Sequence, residues 1–275
     1  MRVGVGLPNV IPGTTPELLA EWAALVEAGP FDSVGSLHRA AWDVIDPLEA
    51  LRAAAGATTR LGLVTMVAVA PLYDTGWLAE EAAAIDRLSG GRFVLGLSVG
   101  ARLEDYEAAG VDPRGRGRRL DDQLVDLRNL WEEAGARVPP VLVGGTADIA
   151  FARMARWSDG YVHGGGPPRA FATAILKARA AWTEFARPAS PQIWGQSYFA
   201  LGDESTLERG RAYMREYYAF TGPFVERIVE DLLTTPQQVA ARVRGYAEAG
   251  CEHLVFVPTS ADPAQVDLLA EVLAA

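Results

Sequence analysis

The chain has 275 residues, enough for a full hydrophobic core, and its formal net charge of −10 argues against a nucleic-acid partner, whose phosphates need clustered Lys and Arg. Cys251 is the lone cysteine, so an intrachain disulfide is excluded and a reducing, cytoplasmic setting is expected. No apolar run approaches the ~18 residues of a membrane span, and residues 1–8 are too short and too broken by Gly and Pro for a signal peptide.

Short β-rich runs alternate with helix-period segments along the whole chain. Strands are expected at residues 2–7, 31–37, 60–67, 93–99, 140–143, 160–163, 192–200 and 253–257. Most are continuous Val, Leu, Ile and Phe, as in parallel strands covered on both faces. Thr15-Pro16 opens a helix carrying Leu18, Trp22, Leu25 and Val26, which Gly29 ends. Asp74-Thr75 precedes another, stopped by Ser89-Gly90-Gly91. Leu120, Leu124, Leu127 and Trp131 form a third stripe, and Thr146 is expected to cap a helix running to about Arg156. Thr235-Pro236 and Asp262-Pro263 open the last two, and the stretch between the seventh and eighth strands, about 202–251, reads as two helices joined near Thr221-Gly222-Pro223. Eight strands with intervening helices predict a single (β/α)₈ TIM barrel forming one domain.

Such barrels carry their sites at the C-terminal strand ends. There the sequence offers His38, Thr65, Val67, Ser98, Gly100, Gly144, His163 and Gly164. Val143-Gly144-Gly145-Thr146 runs a buried strand through two glycines to a helix start, which suits a phosphate as well as it suits a tight turn. Gly96-Leu97-Ser98-Val99-Gly100 matches a nucleophile elbow, so a serine hydrolase using Ser98 is an alternative, although the charged stretch after it is not the apolar helix an elbow leads into. The basic run Arg114, Arg116, Arg118 and Arg119 reads as a solvated helix start or a loop clamp. His38, His163 and His253 lack ligand-like spacing, so no metal is expected. Trp42, Tyr73, Trp194 and Tyr198 suit an apolar, aromatic-walled pocket for a small-molecule substrate, or plain core.

Residues 84–100, with Asp86-Arg87-Leu88-Ser89-Gly90-Gly91-Arg92-Phe93 at their centre, closely resemble the bacterial-luciferase-like flavin-dependent oxidoreductases. Arg60-Leu61-Gly62, Arg116-Gly117-Arg118-Arg119-Leu120-Asp121 and Ser158-Asp159-Gly160-Tyr161 support the match, which covers most of residues 1–165. The resemblance implies the barrel, often as a dimer. It also implies a monooxygenase using FMN and dioxygen or, alternatively, a hydride-transfer enzyme using the 5-deazaflavin F-420. A flavin-binding protein without turnover is a further alternative. Carried over by position, residues Thr65 to Ala68 would form a bulged strand end against the isoalloxazine, where relatives often have a non-prolyl cis peptide. Ser98 and Gly100 would line the ring or ribityl chain, and Gly144, Gly145 and Thr146 would meet the phosphate, with His163 and Gly164 beside them. His38 would be general acid or base, although Ser36-Leu37-His38-Arg39 lacks the acid that relatives commonly place beside the histidine.

Overall fold

A computed structural model of the chain describes residues 1–274. The strands are β1 (Arg2–Gly6), β2 (Ser33–Ser36), β3 (Gly62–Thr65) with its short continuation β4 (Ala68–Val69), β5 (Phe93–Ser98), β6 (Val141–Gly144), β7 (Gly160–His163), β8 (Gln192–Phe199) and β9 (His253–Pro258). All pairings are parallel, in the order β3-β2-β1-β9-β8-β7-β6-β5-β4, and β3 also pairs with β5. That last pairing closes the sheet, so the ring has eight strand positions, as expected from the sequence. The peptide Met66–Val67, between β3 and β4, is cis.

Helices fill the outside: α1 (Pro16–Ala28), α2 (Pro47–Ala57), α3 (Thr75–Leu88), α4 (Leu103–Ala108), α5 (Arg116–Glu133), α6 (Asp148–Trp157), α7 (Pro168–Glu184), α8 (Glu204–Tyr217), α9 (Val225–Val229), α10 (Pro236–Glu248) and α11 (Ala264–Ala274). Their starts follow local chemistry. Thr15, Asp46, Asp74, Asp203 and Thr235 each cap a helix with a side-chain oxygen, and Thr235 with Gln238 forms a full capping box. Thr146 does not cap. Ala147 holds the N-cap of α6 with no side-chain bond, which leaves the Thr146 hydroxyl free. The long segment before β9 holds α8, a 3₁₀ turn at Ala219–Phe224 and the short α9, in addition to α10.

Pleat alternation divides the core into two. Leu63, Val141, Tyr161, Ile193 and Leu254 belong to the layer between sheet and helices. Their chain neighbours Val64, Leu142, Val162, Trp194 and Val255 belong to a second cluster, in the barrel interior. Strands buried on both faces need the continuous apolar runs seen in the sequence.

The floor of the barrel holds a charge-free histidine. His253 begins β9, bonds Ser33 Oγ through Nε2 at 2.7 Å and stacks on Trp194 at 3.9 Å between ring centroids. Burial, with smaller contributions from Arg2 and the chain's amino terminus, pushes the ring down to about 3 from its ordinary 6.5. Below 6.5 the unfolded ring takes a proton that the folded ring refuses. Its contribution to stability is therefore complete above 6.5 and drains away as pH falls towards 3. His253→Gln is expected to remove about one proton's worth of this acid destabilisation, a slope change of about 1.4 kcal/mol per pH unit between pH 6 and 4, measured by urea unfolding at stepped pH.

Candidate active site

A hollow of about 470 Å³ opens at the C-terminal ends of the strands, a size ordinary for a cofactor or drug-sized ligand. His38, Val67, Ser98, Gly100, Gly144, Gly145, Thr146 and Gly164 all lie on its wall. Three other residues expected there do not. Thr65 shares the outward parity of Leu63, Ala68 packs in the layer under the helices, and His163 shares the parity of Tyr161. The pleat turns all three away from the interior.

Two of them instead make contacts within the sheet. The Thr65 hydroxyl donates to Gly96 O at 2.7 Å and accepts Gly96 N–H at 2.8 Å. The strands approach so closely there that a Cβ on Gly96 would stand 2.1 Å from Thr65 O. His163 places Nδ1 3.2 Å from the Tyr161 hydroxyl, which donates to Gly145 O, and burial pushes its ring down to about 4.

His38 follows β2 and is 8% exposed. Its Nδ1 accepts the Val69 N–H at 3.1 Å, so the neutral ring carries its proton on Nε2. The Tyr73 ring stacks on it at 5.1 Å, and the Tyr73 hydroxyl donates to Asp46 Oδ2 at 2.6 Å. Asp46, from the loop before α2, thus stands near the histidine in place of a sequence neighbour. Burial holds His38 below its ordinary value, although Asp46 and Asp105 pull it upward and Arg102 adds to the depression. Trp42 and Tyr73 line a smaller hollow of about 240 Å³ beside His38, Tyr198 lines the main one, and Trp194 lies on the floor against His253.

Ser98 has no base. Its hydroxyl accepts the Gly100 N–H at 3.1 Å, and among the described residues none of the three histidines bonds it. The next residues, 99–102, are not helical, unlike the helix after an elbow.

The wall at β6 and α6 combines a glycine turn, a helix start and two arginines. Gly145 has φ of 141°, and a Cβ there would meet Ala150 Cβ at 2.6 Å, so only glycine lets the chain pass. A Cβ on Gly164 would meet nothing within 4 Å. The uncapped first turn of α6 leaves N–H groups free beside the Thr146 hydroxyl. Arg116 and Arg153 line the same hollow. Arg153 is neutralised by Asp121 at 2.7 Å, while Arg116 has no ion pair among the described residues. The basic run of the sequence is therefore divided: Arg114 pairs with Asp112 at the surface, and Arg116 turns to the hollow. A bound phosphate fits this donor set, and the apolar side chains of Leu37, Met66, Val67 and Val162 fit a flat heterocycle. Gln196, at the end of a strand that the sequence also placed on this rim, lies on the wall, whereas sequence reading missed Arg102, Tyr217, Tyr218 and Phe220, which line it too. Among the described residues no group of three His, Cys, Asp or Glu side chains is placed to hold a metal ion, and no helix is long and apolar enough to cross a membrane.

The family described as luciferase-like monooxygenase matches residues 1–253. An uncharacterized protein of Mycobacterium tuberculosis is 36% identical over 138 residues, which are 43% of this chain and 48% of that protein. The oxygenase component of a flavin-dependent trigonelline monooxygenase from Acinetobacter baylyi is 36% identical over 80 residues, 28% of this chain and 22% of that one. The matched part thus spans about half the length of the mycobacterial relative or less. Among solved structures, an F420-dependent secondary alcohol dehydrogenase bound to an F420-acetone adduct superposes with a TM-score of 0.83 at 15% identity, covering 98% of this chain and 97% of that one, a likeness of fold.

Thr65→Val is expected to destabilise the fold by about 1–3 kcal/mol, because both Gly96 backbone groups lose their partner. Flavin affinity, measured by fluorescence on the same preparation, should not change; a selective loss of affinity would return Thr65 to the cofactor site.

Proposed function

The chain belongs to the luciferase-like monooxygenase family, and on that premise we propose that it is a flavin-dependent monooxygenase acting with FMN and dioxygen on a small organic substrate. The observation that carries this reading is one hollow walled by both the Gly144–Thr146 cradle with Arg116 and, across the rim, the buried histidine that follows β2. Reduced FMN, when bound, supplies the electrons that activate dioxygen.

The protein's own residues supply binding, dryness and a proton. Thr146, the free N–H groups of α6 and Arg116 would hold the phosphate. Val67, Val69, Leu37 and Val162 keep water from the reacting face. His38 holds a proton on Nε2 while Val69 engages Nδ1, so the neutral ring acts as a donor. Protonating Nδ1 would break that bond, and burial opposes it further. We also propose one domain acting as a homodimer in a reducing, cytoplasmic setting. The buried thiol of Cys251, pushed up to about 12 by burial, fits such a compartment.

Titration of the apoprotein with FMN, riboflavin and F-420, followed by their fluorescence, tests the cofactor. FMN is expected to bind at least about ten-fold more tightly than riboflavin, and Arg116→Ala to remove most of that advantage, as the loss of a charge-assisted hydrogen bond requires. Tighter binding of F-420 than FMN would replace oxygen chemistry with hydride transfer. For His38, the ¹⁵N NMR signals should show the Nε2–H tautomer and a midpoint below 6.5, moved lower still in Asp46→Asn because a charge that favours the imidazolium is gone. His38→Phe is expected to lower kcat/KM about 10²–10³-fold with FMN affinity kept.

A further inference from the structure

Arg102 is a largely covered cation that makes no hydrogen bond to another described residue. Its side chain is 12% exposed and its nearest carboxylate oxygen, Asp105 Oδ2, stands 3.8 Å away, beyond hydrogen-bond reach. The other oxygen of Asp105 is already held by Arg39 at 2.7 Å and by the Ala41 N–H at 2.9 Å. Among the described residues, Nε of Arg102, like that of Arg39, is buried with no hydrogen-bond partner. The buried arginines nearby differ in their carboxylate partners: Arg39 has both Glu104 and Asp105, and Arg153 has Asp121. A buried guanidinium nitrogen without a hydrogen-bond partner is costly, and the rest of the group faces the hollow.

Aromatic rings hold it in place. The guanidinium carbon lies 4.1 Å from the Tyr217 ring centre, 4.9 Å from Phe220 and 5.6 Å from Tyr218. The Tyr218 hydroxyl donates to Tyr198 at 3.0 Å, which ties the segment after α8 to β8. Arg102 and these rings line the main hollow together. The cation is thus fixed in advance, has donors to spare and borders flat apolar faces.

We propose that this corner is an anion subsite for the substrate, in which Arg102 receives the carboxylate of a planar aromatic acid whose ring lies against Tyr198, Tyr217, Tyr218 and Phe220. A carboxylate matches the guanidinium fork, and an aromatic body matches the wall. The assignment deepens the monooxygenase reading and rests on it for the word substrate; the binding event itself needs no flavin.

Benzoate and benzamide share a shape and differ in charge. Each is titrated into the apoprotein and into protein preloaded with FMN, and binding is followed by calorimetry. Benzoate is expected to bind at least about ten-fold more tightly than benzamide in both forms, the size of one charge-assisted pair. Arg102→Met should erase the preference, Arg102→Lys should keep part of it, and FMN affinity should stay within about three-fold in both. Equal binding of the two probes by the parent protein overturns the proposal without recourse to any variant. So does an Arg102→Met protein that melts like the parent and still prefers benzoate. A loss of FMN affinity of about ten-fold or more in Arg102→Met, with the benzoate preference intact, assigns Arg102 to the cofactor phosphate and overturns it too. An FMN that fails to bind the parent while benzoate is still preferred removes the cofactor reading and keeps the subsite.

Discussion

The hydroxyl of Thr65 bridges the backbone of Gly96 in both directions, and the closed ring depends on that bridge. β3 pairs with β5 only through Leu63 and Val64, a short seam for the last joint of a barrel. Beyond it the side chain takes over from the ladder, using one donor and one acceptor where two backbone groups would have stood. The chain can then leave the sheet at Met66–Val67 and rejoin β5 as β4, pairing Ala68 with Leu97 and Val69 with Ser98. Val67 and Val69 face the hollow, and Val69 presents its N–H to His38. Ring closure and the setting of the proposed proton donor therefore share one small region.

Electrostatics inside the hollow follow a simple division. Three arginines reach its wall, and carboxylates neutralise them unequally. Arg153, fully paired, acts as a brace between α5 and α6. Arg116, without an ion pair among the described residues, stands next to a free helix start, where charge favours an anion. Arg102 is pinned by ring faces at a third point. An overall charge of −10 conceals this local positive lining, since the acids lie largely elsewhere. Net charge speaks about the outer surface and says little about a cavity.

Much of the ring was legible because its signals are local. A strand buried on both faces must be apolar throughout, and Thr15, Asp74 and Thr235 announce helix starts by chemistry within three residues. Gly144 to Thr146 was legible for the same reason, as was the rim position of Ser98. The errors have a common origin. Counting to a strand end locates the rim without saying which way a side chain points, so Thr65, Ala68 and His163 were placed one face away from where the pleat puts them. Thr146 was read as a cap because it precedes a helix, yet the helix begins one residue later than that role allows. Asp46 and Arg102 were beyond such reading. Each acquires its meaning from a partner that only the fold brings near: Tyr73 for the first, and for the second tyrosines more than a hundred residues away.

The stretch that carries those tyrosines has an architectural property of its own. Leu233 donates its N–H to Tyr198 O and accepts the Ala200 N–H, so the excursion through α8 and α9 departs from and returns to the same spot on β8. Its two ends are stitched together by backbone hydrogen bonds, so the long excursion is a loop already closed at its base. The excursion hangs from one point on β8 while Tyr217, Tyr218 and Phe220 reach from it to the wall of the hollow, so its seat on the sheet also sets where that wall stands.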